Sequence, residues 1–149
     1  MSMGWHTVMG FYPALIGCYI TPGNHSYKMI ERSGECVINI PTIDLIDEVI
    51  GIGNTSGRVI DKFEHFGLTP VKSNIVDAPM ISECYANYEC RVYDRQFLAE
   101  YNFFILEVVK AHAAVLPEYP QTVHYRGEGT FMVSGENVAY PERFKPQNL

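Results

Sequence analysis

The stretch Thr21-Pro22-Gly23-Asn24-His25-Ser26-Tyr27 gathers hydroxyls, an amide and a glycine where an apolar run gives way to a helical one. Asn24 through Ser26 fall at the first turn of that helix, where free N–H groups and the helix dipole favour an anion such as phosphate. The same residues suit plain N-capping, with Asn24 closing its own helix and nothing bound. Residue types alone leave the two readings equal. A second stretch, GIGNTSGRVIDKF over residues 51–63, carries three glycines, small hydroxyls and Lys62. It raises the question of a dinucleotide loop. Such a loop leaves a strand, enters a long helix and is followed by an acidic residue about 20 residues on, after a second strand. Here the residues before Gly51 have helical spacing and the helix after Gly57 is short. The glycines fall as GxGxxxG. The context excludes a Rossmann loop and leaves a glycine-rich turn between two helices or a loop for another cofactor.

Other chemistries find little support. His6, His25, His65 and His112 have no zinc or iron ligand spacing, and no nucleophile elbow or hydrolase triad can be assembled. Asp44, Asp47 and Glu48 read as the solvated face of a helix. The four cysteines, Cys18, Cys36, Cys84 and Cys90, include no CxxC pair. Cys84 and Cys90 fall in one expected strand, about 20 Å apart by rise per residue, beyond disulfide reach. Buried reduced thiols are expected.

The elements that must position these residues follow from length and pattern. The chain has 149 residues, 47% hydrophobic and 19% charged, which fits one folded domain over 1–149 with a C-terminal tail from about 135. A net charge of −6 and the lack of a basic run weigh against nucleic acid. No apolar stretch approaches the roughly 20 residues that cross a bilayer, and no secretory signal opens the chain, so no membrane partner and a cytoplasmic location are expected. A strand is predicted over Leu15–Thr21, then a short helix from Asn24 to Gly34 with Tyr27 and Ile30 inward. CVINI is a second strand. Thr42 is expected to cap a helix through Ile50, and DKFEHFG supplies another short helix ending at Gly67. ISECYANYECRVYDRQFL and YNFFILEVVKAHAAVL read as two long antiparallel strands, and TVHYRGEGTFMVSGENV as a last one. The order predicts a mainly β (α+β) fold, barrel-like and antiparallel, with two or three short helices inserted.

The motifs also carry a family resemblance. Asp61-Lys62-Phe63, Gly67-Leu68, Ala78-Pro79 and Glu89-Cys90-Arg91 stand in the order and spacing of the flavin reductase-like family of FMN-binding split barrels. PALIGCYITPGNHSYKMIERSGECVINIPT is similar to the family's flavin-phosphate segment and the Gly-Glu-x-Val-x-Asn strand after it. His124-Tyr125-Arg126-Gly127 is similar to its His-x-x-Gly element. Members usually carry a further strand ahead of the segment matched by MSMGWHT, so either the reading frame is truncated or the barrel lacks that element, which would leave a sheet edge unpaired.

The resemblance implies FMN as cofactor. Thr21, Asn24, His25, Ser26 and Tyr27 would face its phosphate, and Met3, Gly4, Trp5, His6 and Thr7 would run beside the ring. Trp5 alone would equally suit a core or interface. Asn54, Thr55, Ser56, Gly57 and Lys62 would close over the cofactor, and His124 would meet a nicotinamide donor. The implied activity is FMN-dependent NAD(P)H oxidation, with hydride passing to flavin N5 and on to a flavin, ferric or protein acceptor. A homodimer is implied as well. No catalytic side chain is required, because the cofactor carries the chemistry. The alternatives are a flavin-bound electron carrier without NAD(P)H activity, or a non-catalytic split-barrel binding module.

Overall fold

In the computed structural model, which describes residues 1–148, strands dominate the chain. They are β1 (His6–Phe11), β2 (Ala14–Tyr19), β3 (Glu35–Ile40), β4 (Pro70–Val71), β5 (Met80–Ile81), β6 (Ala86–Asp94), β7 (Phe103–Ala113), β8 (Val123–Gly127) and β9 (Thr130–Val133). The helices are α1 (His25–Ser33), α2 (Ile46–Asn54), α3 (Lys62–His65) and α4 (Leu98–Tyr101). Five strands form one antiparallel sheet in the order β1-β2-β7-β6-β3, leaving β1 and β3 at its ends.

The sheet's apolar face carries the core. Cys18 and Ile20 near β2, Phe104 and Leu106 of β7, and Cys90 of β6 pack with Tyr27 and Ile30 of α1 and Leu98 of α4. The Tyr27 and Phe104 rings meet edge-on at 5.2 Å between centroids. Helix α1 presents Tyr27 and Ile30 three residues apart on one face, as a helical stripe requires. It ends where Gly34 adopts φ 75°, and the Gly34 N–H donates to Ile30 O at 2.9 Å.

Two expectations from sequence are corrected. Residues 51–54 are no turn: Gly51 and Gly53 lie inside α2, which follows a 3₁₀ turn over Ile43–Leu45. Gly51 is there because the Phe66 ring lies where its Cβ would be. Close packing, not loop freedom, explains that glycine. Cys84 is not in β6, which starts at Ala86, so the single-strand argument against a Cys84–Cys90 disulfide does not hold; both are nevertheless free thiols.

Smaller differences have equally local causes. The last strand is a hairpin, β8–β9, turned by Gly127, Glu128 and Gly129 at positive φ. Three such residues in a row reverse the chain where a single strand was expected. The expected helix over 61–67 is α3, and its N-cap Asp61 accepts from the N–H groups of Phe63 and Glu64. Among the described residues, no helix is long and apolar enough to cross a membrane.

Candidate functional site

The structure brings most of the expected residues to one end of β1. Helix α1 starts at His25, and Asn24 does not cap it: its side-chain amide turns away and donates to Thr21 Oγ1 at 3.2 Å. The N–H groups of His25 and Ser26 therefore have no acceptor among the described residues. An uncapped first turn of a nine-residue helix is an open anion site. Tyr27 departs from its expected role. Its ring is in the core, and its N–H is taken by Asn24 O at 3.2 Å.

The loop between α2 and α3 comes up against this turn. A Cβ on Gly57 would lie 3.5 Å from the His25 ring, and Arg58 Nη2 reaches Gly23 O at 3.5 Å. A guanidinium is thus brought beside the open helix start, where a phosphate's charge would be met. Arg58 lies within the glycine-rich stretch, yet spacing alone gave no reason to choose it. Ser56 Oγ is partly engaged, accepting from Arg58 N–H at 3.3 Å.

Asn54, Thr55 and Lys62 all turn to the C-terminal end of α2. Asn54 donates to Ile50 O at 3.1 Å and Thr55 to Gly51 O at 2.9 Å. Lys62 Nζ donates to Ile52 O at 2.6 Å and Thr55 O at 2.7 Å, and burial lowers its pKa. A cation at the end of α2 satisfies carbonyls the helix leaves open and complements its dipole. Lys62 keeps one N–H for another partner and fixes the start of the Thr55–Arg58 loop.

The N-terminal segment forms the other wall. Met3 packs half-buried against the core, and Tyr19 N–H donates to Trp5 O at 3.0 Å, extending the β1–β2 pairing. Gly4, Trp5, His6 and Thr7 line a recess of about 340 Å³ with Tyr19 and Phe103. The Trp5 and Tyr19 rings are 5.9 Å apart at 51°, and Trp5 is 75% exposed. Trp5 is therefore not a core residue of the single chain. Thr7 Oγ1 makes only a long contact to Val8 O, at 3.4 Å. Aromatic walls beside backbone polar groups suit a flat heteroaromatic ring. Tyr19 and Phe103 were missed by sequence reading, because only strand pairing sets β2 beside β1 and β7 beside β2.

Hairpin β8–β9 folds over this segment. A Cβ on Gly4 would lie 3.7 Å from Tyr125, the residue after His124. His124 is exposed, and its Nε2 lies 3.0 Å from Thr122 Oγ1. The expected donor-side histidine and the expected ring-side strand are therefore neighbouring elements.

The antiparallel sheet with short helices inserted is a split-barrel architecture, and it carries the uncapped helix start and the aromatic recess at one end. Over residues 1–129 the chain matches the flavin reductase like domain, and it belongs to that family. It is 32% identical over 127 residues to an uncharacterised protein of Archaeoglobus fulgidus, covering 85% of this chain and 72% of that one. Its fold is similar to that of flavoredoxin from Desulfovibrio vulgaris, with a TM-score of 0.85 at 23% identity, covering 96% of this chain and 82% of that one. It is also similar to an FMN-binding domain of a flavin reductase-like enzyme from Shewanella baltica, with a TM-score of 0.81 at 22% identity, covering 93% and 80%.

Proposed function

We propose that this chain is a single FMN-binding domain acting as an NAD(P)H oxidoreductase of flavin reductase type. The observation that carries the reading is the uncapped start of α1, where the His25 and Ser26 N–H groups stand open beside Gly57 and Arg58. Those residues fit a phosphate monoester, and the recess between Trp5, Tyr19 and Phe103 fits the ring of the same molecule. FMN held there would supply a hydride-accepting ring and a route for electrons to a second acceptor, whether free flavin, ferric iron or another protein.

The chain's own residues bind and orient. His25, Ser26 and Arg58 hold the phosphate end, and Lys62 keeps the Thr55–Arg58 loop in place. Trp5 and Tyr19 exclude water from one side of the recess. His124, on the hairpin over Gly4, receives the nicotinamide donor. The membership of the flavin reductase like family and the FMN-binding protein among its structural relatives support this reading.

A homodimer belongs to the same proposal. Val8, Phe11, Leu15, Ile16, Tyr88 and Val108 line an apolar groove on the β1–β2 hairpin side of the sheet, and Phe11 is 88% exposed. A second copy would remove that surface from water. A cytoplasmic location completes the proposal.

One preparation tests the reading. Purified protein incubated with FMN and desalted is expected to stay yellow, and NADH or NADPH is expected to bleach it without oxygen. A colourless protein would leave a binding module. A yellow protein that neither nicotinamide bleaches would leave an electron carrier, the second reading that the likeness to flavoredoxin favours.

A further inference from the structure

Three of the four cysteines converge on one spot of the core, although they come from three different strands. Cys18 of β2 and Cys90 of β6 are fully buried, and half-buried Cys36 of β3 packs against them. Cys36 and Cys90 stand directly opposite each other in the β3–β6 ladder. Val92 N–H donates to Gly34 O at 2.8 Å, and the alternation of the ladder makes Cys36–Cys90 a hydrogen-bonded pair too. Such pairs have Cα atoms about 5.5 Å apart, within the range that disulfides span. Directly opposed residues also share a face of the sheet, so both thiols point into the same space.

We propose that Cys36 and Cys90 are a redox-active pair that closes to a reversible cross-strand disulfide when the protein meets a hydroperoxide. The Cys90 S–H donates to Tyr88 O at 3.3 Å. The neighbouring Cys90 side chain and burial push the Cys36 pKa well above the usual thiol range, and the neighbouring Cys36 side chain lowers that of Cys90. Attack falls to Cys90 once its S–H gives up Tyr88 O, and Cys36 is the resolving thiol. The Cys90 thiolate attacks one peroxide oxygen, the O–O bond breaks, and the departing oxygen leaves as water after taking a proton. The Cys36 sulfur then attacks the sulfenic acid, the S–O bond breaks and a second water leaves. Two thiols and one hydrogen peroxide give one disulfide and two waters.

Position favours this pair over the other cysteines. Strand β3 ends the sheet, so it can shift the small distance that brings the two Cβ atoms into bonding range. Cys90 itself has no solvent exposure, so a peroxide would have to reach it past half-buried Cys36. Cys18 is separated from β6 by β7 in the sheet, and burial pushes its thiol up to about 12. Cys84 lies outside the cluster altogether. The bond would tie β3 to β6, and β3 carries two of the side chains that fasten β5 and the segment before it: Glu35 accepts from Asp77 N–H and Asn39 from Ile81 N–H.

The test treats the full folded chain, with and without FMN, with hydrogen peroxide and then blocks remaining thiols under denaturing conditions. Two thiols should be lost, the mass should fall by two hydrogens, and one digest peptide should join Cys36 to Cys90. Dithiothreitol should restore both thiols. The cross-link should disappear in Cys36→Ser and persist in Cys18→Ser and Cys84→Ser. Cys36→Ala serves where the serine variant does not fold. Retention of all four thiols, a cross-link through Cys84 or Cys18, or sulfinic acid in place of a disulfide would each overturn the assignment. The result does not depend on nicotinamide activity, so it stands or falls apart from the oxidoreductase reading.

Discussion

Glu89 Oε1 and His112 Nε2 lie 2.7 Å apart, joining adjacent strands β6 and β7 through a carboxylate with no solvent exposure. The same carboxylate accepts from the N–H groups of Asn74, Ile75 and Val76 at 3.0, 2.6 and 3.1 Å. Glu89 thus anchors the loop between β4 and β5 to the sheet. Arg91 supports it by donating to Ile75 O at 3.1 Å, and Asn87 accepts from Ile81 N–H at 3.2 Å. A buried carboxylate is tolerable only because four donors surround it.

Glu89→Gln should therefore unfasten the loop. An amide has one acceptor oxygen where the carboxylate has two, and its NH₂ would face backbone N–H groups. A loss of about 3 kcal/mol is expected for breaking a buried charged network. Urea unfolding checks the magnitude. Hydrogen exchange checks the place, with faster exchange at Asn74, Ile75 and Val76 before the rest of the sheet opens.

Acid should act through the same group. Burial alone would raise the Glu89 pKa, but the donors from Asn74, His112, Ile75 and Val76 outweigh it and bring it down from 4.5 to about 2. A folded pKa below the unfolded one means the contribution is complete above the unfolded value. It is lost as pH falls through the folded value. Stability should accordingly decline between about pH 5 and 2, and Glu89→Gln should flatten that part of the profile. Denaturant midpoints measured across the range in both proteins would reveal it.

How much of this was legible in the sequence differs from element to element. Tyr27 and Ile30 at helical spacing before Gly34 marked α1, because an amphipathic stripe and a left-handed stop are local signals. The long pair β6 and β7 was equally plain from β-rich runs. Gly51 and Gly53 misled, since glycine inside a helix looks like a turn until Phe66 is seen filling the space beside Gly51. The site was half visible. Thr21–Ser26 stand at a helix start that sequence can find, whereas Tyr19 and Phe103 join Trp5 only through strand pairing. The Glu89–His112 contact crosses 23 residues and had no local sign at all.

Lys62→Met should expose what the ammonium does at the end of α2. It removes donors to Ile52 O and Thr55 O while keeping most of the side chain's length. A loss of about 1–2 kcal/mol is expected from charge-assisted hydrogen bonds at a helix C-terminus. If Lys62 acts by positioning the Thr55–Arg58 loop, FMN retention should fall with it, and Lys62→Arg should recover part of both. Thermal melts and flavin fluorescence titration measure the two effects separately. FMN affinity lost without any change in melting would place Lys62 on the cofactor instead.

Substitutions at the two ends of the proposed site should separate cofactor from donor. Ser26→Ala removes a hydroxyl at the open start of α1 but leaves the backbone N–H groups, so FMN affinity should weaken several-fold, about 1 kcal/mol. Asn24→Ala frees Thr21 from its 3.2 Å contact and loosens the turn before the helix, with an effect in the same direction. Unchanged affinity in both variants would mean the phosphate lies elsewhere. His124→Ala lies on hairpin β8–β9, where its ring nitrogen contacts Thr122. It should leave flavin bound and raise the apparent KM for the nicotinamide donor. Equal loss of flavin and activity would instead put His124 against the cofactor, and no change in either would remove it from the site.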